Sequence, residues 1–125
     1  MKLDKELVRE IMLAVEASET LPIQWVTLDL PGRTLEETSY HVMLLDEAGF
    51  IEGQKLTTYG SFEWQPKRLT YQGHEFLDTI RDGEVWRRTK EGAKKAGGAS
   101  IGFLWELAKA YGKQVANERL GIALE

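Results

Sequence analysis

The stretch "SYHVMLLDEAGFIEG", residues 39–53, decides how the first part of the chain is organised. Its apolar residues recur at helical spacing as far as Ala48, and Gly49 follows where a left-handed backbone conformation commonly ends a helix. The next residues, "FIEG", predict the start of a strand. The stretch contains Asp46 and Glu47 but no Lys or Arg. It therefore predicts an acidic helix that leads directly into a strand.

The segments before this stretch have clear boundaries. "TLEE" at residues 34–37 is a capping box, so the helix should begin at Thr34 and run to about Ala48. Its expected buried face is Leu35, Thr38, Val42, Leu45 and Ala48. Residues 4–17 have a helical apolar stripe with Asp4 as N-cap. "IQWVTLDL", residues 23–30, is rich in β-branched and aromatic residues and predicts a strand.

The segments after the stretch complete the order of elements. Residues 51–70 predict a β-hairpin with Gly60-Ser61 as a two-residue turn and Pro66 on an edge strand. Helices should follow from the cap at Thr70 to residue 81, over residues 83–96, and from Ser100 to about Asn117. The order predicts an α+β, winged helix-turn-helix-like domain (helix, strand, helix, β-hairpin wing, helix) with additional C-terminal helices. We expect one domain over residues 1–125, with its core at about 3–82 and a helical extension at about 83–121.

Composition limits the classes of protein that fit. The chain has 125 residues and no Cys, so thiol catalysis, thiolate metal sites and disulfides are excluded. The charged N-terminus and the lack of a long apolar run predict a cytoplasmic protein without a membrane segment. Residues 1–82 hold 8 Lys and Arg against 15 Asp and Glu, whereas residues 83–125 hold 8 against 5. The final Leu124-Glu125 resembles a join to a purification tag and is assigned no function.

Four segments taken together resemble a known family. They are "MKLDKELVREIMLAVE", "SYHVMLLDEAGFIEG", "RLTYQGHEFLDTIRDGEVWRRTKE" and the closing amphipathic helix. In this order they resemble the uncharacterised bacterial and phage domain-of-unknown-function family twenty-five-thirteen. The resemblance implies a small winged-helix-like protein, often of prophage origin, and it implies no activity. Separately, "YHVMLLDEAGFIEG" is similar to the recognition-helix end of many bacterial winged-helix regulators.

The side chains give little sign of catalysis. His41 and His74 are 33 positions apart, without Cys, so they have no metal-ligand spacing and no metal is expected. The carboxylates lie on helix surfaces, where solvated charge is the ordinary state. No nucleophile elbow or phosphate-binding Gly-rich loop is present. The sequence therefore predicts a non-enzymatic protein with no cofactor and no small-molecule substrate.

Double-stranded DNA is the first candidate partner. The candidate contacts are Ser39, Tyr40 and His41 on the second helix, Lys55, Lys67 and Arg68 at the hairpin, and Arg87, Arg88, Lys94 and Lys95 on the helix at 83–96. The last four share one face with Lys90. The alternative is that this face is an ordinary solvated helix surface. For His41 and His74 the alternative is packing or hydrogen bonding to a neighbour.

A protein partner or a second copy of the chain is the other candidate. The last helix carries Phe103, Trp105, Tyr111 and Val115, which can form a dimer seam or a surface for a partner. The same stripe can instead close the core of the monomer. Two functions therefore stay open: a nucleic-acid-binding protein of the regulator type, and an interaction or self-associating adaptor that binds no DNA.

Overall fold

The computed structural model describes residues 1–56, 60–98 and 100–122, and its first two helices begin at side-chain caps. Helix α1 spans Lys5–Ala17, and the Asp4 carboxylate accepts a hydrogen bond from the Leu7 N–H. Helix α2 spans Leu35–Glu47 and has both hydrogen bonds of the predicted capping box at Thr34. Gly49 follows α2 with a φ of 83°. These predicted boundaries are confirmed.

The buried face of α2 differs from the predicted one. Thr38, Val42 and Leu45 are buried as expected, but Ser39 and His41 are buried beside them. Leu35 is 52% exposed and Ala48 is also exposed, so both were assigned to the wrong side. The helix is rotated about its axis relative to the prediction, and the buried His41 side chain has hydrogen-bond partners inside the protein.

A two-stranded antiparallel sheet follows α2. Strand β1 spans Ile51–Leu56 and β2 spans Glu63–Leu69, with a register irregularity between Glu52 and Gly53. A two-residue turn at Gly60-Ser61 would place Leu56 opposite Gln65, whereas Leu56 lies opposite Glu63. The prediction of this tight turn is therefore wrong, because the observed register is shifted by two positions. Residues 57–59 lie outside the described residues.

The predicted strand at residues 23–30 does not form. The described backbone of this segment makes one hydrogen bond to the sheet, from the Val26 N–H to the Pro66 carbonyl oxygen at 2.8 Å. A hydrogen-bonded antiparallel pair exchanges two such bonds, and Pro66 has no N–H with which to return the second. The strand prediction was wrong because the β-propensity of residues 23–30 does not replace the hydrogen bond that Pro66 is unable to donate. The segment passes β2 without extending the sheet.

Helix α3 spans Tyr71–Ile80 and begins against the backbone around Phe50. The Thr70 hydroxyl donates to the Gly49 carbonyl at 2.6 Å and accepts from the Gly73 N–H at 3.1 Å, which confirms Thr70 as the cap. A Cβ at Gly73 would lie 1.9 Å from the Phe50 carbonyl oxygen. Only glycine permits this close approach of the helix to the Phe50 backbone.

Two further helices form the last part of the chain. Helix α4 spans Gly83–Lys95, and α5 spans Ile101–Leu120, three residues beyond the predicted end. Gly97 and Gly98 have positive φ angles and separate them, as predicted. The buried side of α4 consists of Val85, Trp86, Thr89 and Ala93, while Ala96 is exposed at the C-cap. The two helices pack against each other.

The chain divides into two compact units, Met1–His74 and Glu75–Glu125, called here the N-terminal and C-terminal units. Their boundary lies within α3 and not near residue 82. In the N-terminal unit, α1 packs against α2 and β2 over the buried side chains of Leu7, Ile11, Met12, Val42 and Leu45. The architecture is α+β.

No helix in the described part of the chain combines the length and apolar character needed to cross a membrane. Leu124 and Glu125, interpreted above as a tag join, lie outside the described residues.

Candidate functional site

The candidate contact surface on α2 is mostly internal. Ser39 has no exposed surface and His41 is 1% exposed, while Tyr40 is half-buried. The prediction that Ser39 and His41 contact nucleic acid is therefore wrong, because a groove or a phosphate cannot reach them. Of this group, Tyr40 alone keeps a partly accessible side chain.

His41 joins two segments of the N-terminal unit. Its Nε2 accepts a hydrogen bond from the Asp4 backbone N–H at 2.8 Å, and its Nδ1 lies 2.7 Å from the Glu37 carbonyl oxygen. The backbone N–H can only donate, so Nε2 carries no proton and Nδ1–H donates to Glu37. Both ring nitrogens are thus engaged. The alternative interpretation of His41, an imidazole bonded to its neighbours, describes the structure.

Asp4 also belongs to an ion-pair cluster that the sequence does not reveal. The Arg33 guanidinium donates to Asp4 at 2.6 Å and to both carboxylate oxygens of Glu10 at 3.2 Å. Burial raises the pKa of Asp4, but the hydrogen bonds from Arg33 and the Leu7 N–H outweigh burial and lower it overall. Hydrogen bonds to Glu10 and Asp4 raise the pKa of Arg33. This cluster holds the segment before α2 against α1.

The hairpin cations are largely engaged by neighbours. Arg68 pairs with Glu52 across the sheet at 2.8 Å. The Lys67 ammonium lies 4.5 Å from the centre of the Trp25 ring, within the range of a cation–π contact. Lys55 is exposed on β1. Among these three predicted contacts, only Lys55 is exposed and forms no ion pair or ring contact with another described residue.

The two arginines of α4 are paired with carboxylates. Arg87 bonds to Glu84 at 2.5 Å and to Glu91 at 3.0 Å, and Arg88 bonds to Glu84 at 2.8 Å and to Glu118 of α5 at 3.0 Å. Hydrogen bonds from Arg87 and Arg88 lower the pKa of Glu84 to about 2. The predicted basic face therefore carries its own counter-ions.

The lysines of α4 differ in their surroundings. The Lys90 ammonium lies 5.6 Å from the centre of the Trp86 ring. Lys94 and Lys95 are exposed in the last helical turn, where positive charge is favoured by the helix dipole. Neither forms an ion pair with another described residue. They are exposed contacts whose charge no described carboxylate neutralises.

The aromatic stripe of α5 mainly packs within the C-terminal unit. Val115 is buried, so its assignment to a partner surface is wrong. The Trp105 ring lies 5.4 Å from that of Phe76, and Tyr111 packs beside Gly92, where a Cβ would approach its hydroxyl to 2.6 Å. Phe103 is 38% exposed. The stripe closes its own unit, and Phe103 is the member that faces outward.

A cavity of about 280 Å³ lies beside β2 in the N-terminal unit. It is bounded by residues 26–30 on one side, by residues 63–66 on the other, and by the start of α2. Ser39 and Trp64 line it, and neither the Ser39 hydroxyl nor the Trp64 indole N–H has a hydrogen-bond partner in the described residues. Sequence analysis did not identify this cavity. Pro66 is the residue in the sequence that could have indicated the cavity. It has no backbone N–H, so the segment beside β2 cannot form a complete set of hydrogen bonds with it.

Net charge differs between the units. Residues 1–74 hold 7 Lys and Arg against 12 Asp and Glu, whereas residues 75–125 hold 9 against 8. The N-terminal unit, which contains α2 and the hairpin, is therefore acidic with a net charge of −5, and the C-terminal unit is close to neutral.

These observations define a small α+β protein whose helix–hairpin unit is acidic. The family described as hypothetical protein (DUF2513) matches residues 2–99, and the chain belongs to this family. An uncharacterized protein of Haemophilus influenzae is 34% identical over 90 residues, which is 72% of this chain and 76% of that protein. No solved structure matches the chain with significance.

Proposed function

We propose that this protein is a non-enzymatic protein-interaction module on a winged-helix-like scaffold. The scaffold assignment is supported by the order of elements, in which α2 passes through Gly49 into a two-stranded hairpin and α1 packs behind it. The function is the adaptor alternative from the sequence. It is favoured over DNA binding because Ser39 and His41 are buried, and because three of the candidate cations, Arg68, Arg87 and Arg88, are paired with carboxylates.

The observation that carries the proposal is the surface of the N-terminal unit. Three large aliphatic side chains are exposed there: Leu21 at 61%, Ile23 at 79% and Leu35 at 52%. They belong to a unit with a net charge of −5. Exposed apolar side chains among acidic residues favour a protein partner, whereas phosphate backbones require cations. The α5 stripe gives less support to self-association, since most of it is covered within the C-terminal unit.

Selection from a displayed random-peptide library tests this function. We expect peptides that bind the immobilised full chain and are weakened by Leu21→Ser plus Ile23→Ser. The matched control is Leu120→Ser plus Ile122→Ser, which changes two similarly exposed aliphatic side chains of the C-terminal unit. Equal loss in both double variants, or no selected peptide at all, contradicts the proposed function.

DNA binding is the second candidate function, and the exposed Lys94 and Lys95 favour it. Fluorescence anisotropy with mixed-sequence duplex DNA, at low and moderate salt, separates the two functions. Binding that weakens steeply with salt supports phosphate contacts. Absence of binding at high protein concentration and low salt supports the interaction module.

A further inference from the structure

We infer that the cavity beside β2 is the docking site for an extended, basic segment of a partner protein. This inference rests on the proposed function and names its site. The partner segment would lie between residues 26–30 and the free edge of β2 and pair with backbone groups there. The chemical class is a short extended peptide with at least one Lys or Arg side chain.

Backbone hydrogen bonding gives the first argument. Among the described residues the sheet has two strands, so β2 pairs there with β1 along one edge only. At its other edge the segment 23–30 contributes the single bond from Val26 to Pro66. A strand edge with unpaired N–H and C=O groups is a template for an added strand. The cavity begins where the pairing at Val26 ends, so an added peptide has backbone partners on β2.

Unsatisfied side chains give the second argument. The Ser39 hydroxyl and the Trp64 indole N–H are both buried without a partner in the described residues, although their residues line the cavity. Buried polar groups without hydrogen bonds are uncommon and cost free energy. Both atoms are covered in this structure, so a ligand reaches them when residues 26–30 move outward. A peptide carbonyl can then accept from the Trp64 indole.

Charge gives the third argument and selects a basic partner. Asp29 lies on one wall of the cavity and Glu63 on the other. Neither carboxylate forms an ion pair with any residue in the described ranges. Arg33 also lines the cavity, but its guanidinium is bonded to Asp4 and Glu10. The walls therefore present uncompensated negative charge, which attracts a cationic side chain and repels an acidic one.

The test uses two capped heptapeptides, one alternating valine with lysine and the other valine with glutamate. They are titrated into the full ¹⁵N-labelled chain, and the indole N–H signals of its four Trp residues are followed by NMR. The Trp64 signal is identified by its loss in Trp64→Phe. We expect the lysine peptide to shift the Trp64 indole and the backbone amides of residues 27–30, and the glutamate peptide to leave them unchanged.

Variants separate this site from general electrostatic attraction. Trp64→Phe keeps an aromatic ring without the indole donor and should weaken the lysine peptide about three- to tenfold, as expected for one neutral hydrogen bond. Asp29→Asn plus Glu63→Gln should weaken it by about two- to tenfold. Glu36→Gln plus Glu47→Gln makes the same charge change at exposed positions outside the cavity and should leave the affinity unchanged.

Several outcomes overturn the inference. If the lysine peptide shifts other amides while the Trp64 indole stays fixed, the peptide binds elsewhere and the proposed function survives without this site. Equal weakening by both carboxylate double variants shows attraction by net charge only. If neither peptide binds and the amides of residues 27–30 are protected from hydrogen exchange, the chain's own segment closes the cavity. The peptide-library selection tests the proposed function independently of each of these results.

Discussion

Replacing His41 with alanine tests whether this histidine is a structural link or a binding residue. The imidazole bridges the Asp4 N–H and the Glu37 carbonyl, at 2.8 and 2.7 Å. His41→Ala leaves the Asp4 donor without its acceptor and opens a space in the core. An unsatisfied buried polar group costs about 1–3 kcal/mol, and the space adds to this. We expect the free energy of unfolding of the N-terminal unit to fall by about 2–4 kcal/mol.

The matched control is the second histidine. His74 is exposed in the first turn of α3, and its side chain forms no hydrogen bond with another described residue. His74→Ala should therefore change the free energy of unfolding by no more than about 0.5 kcal/mol. Urea titration followed by circular dichroism measures both variants, and hydrogen exchange of the α1 amides locates the loss in the N-terminal unit. The reasoning is refuted if the two alanine variants are equally stable.

A further outcome would restore the binding hypothesis for His41. If His41→Ala kept its stability but lost affinity for DNA or for selected peptides, the imidazole would have to act at a surface. The observed hydrogen bonds predict the opposite result. Any loss of affinity in His41→Ala should be explained by the smaller fraction of folded protein.

Three further variants test the fold. Gly73→Ala should lower the free energy of unfolding by about 3 kcal/mol or more, because its Cβ would lie 1.9 Å from the Phe50 carbonyl oxygen. Gly83→Ala is the control, since a Cβ there meets no atom within 4 Å. In the same urea titration, Gly83→Ala should be neutral or slightly stabilising. Glu84→Gln should flatten the acid dependence of stability. Hydrogen bonds from Arg87 and then Arg88 lower the pKa of Glu84 from 4.5 to about 2, so its stabilisation is complete above pH 4.5 and is lost as the pH falls towards 2. Thermal unfolding of wild type and variant across this range checks the sign, and parallel curves would contradict it.

Local signals were sufficient to predict most helix boundaries. The capping box at Thr34, the caps at Asp4, Thr70 and Ser100, and the break at Gly97-Gly98 are each set by residues only a few positions apart. Such interactions form within one turn of the backbone and depend little on the rest of the fold. This explains why the helices and the hairpin of the described residues could be predicted from the sequence alone.

The errors share a different cause, which is contact between residues far apart in the chain. His41 was kept as a candidate DNA contact beside its buried alternative, because its partner, the Asp4 N–H, lies 37 positions earlier. Residues 23–30 were predicted as a strand from their own β-propensity. That propensity contains no information about Pro66, which lies beside them in the fold but is distant in the sequence. The pairing of Arg88 with Glu118 spans 30 positions. Periodicity describes one element at a time, so it cannot identify such partners.

The DNA-binding prediction relied on the cations of α4 and did not take account of the carboxylates beside them. Five cations on one face suggested a phosphate-binding surface, but Glu84, Glu91 and Glu118 lie among them. Exposed ion pairs are individually weak, so a phosphate could compete for Arg87 or Arg88. The displaced carboxylates would stay beside it, however, and repel it. The neighbouring carboxylates therefore lower the net attraction of this face for phosphate, even though each exposed ion pair is weak.

Lys94 and Lys95 are therefore the decisive residues for the DNA hypothesis. They are exposed and have no ion pair with another described residue, so a phosphate contact there displaces no carboxylate. If DNA binds at all, Lys94→Glu plus Lys95→Glu should weaken it across all sequences and reduce the salt slope by about 2. Arg87→Glu plus Arg88→Glu is less informative, because it also places new carboxylates against Glu84 and Glu118 and disturbs the packing of α4 on α5. An unchanged affinity in the lysine variant would show that α4 is not the binding surface.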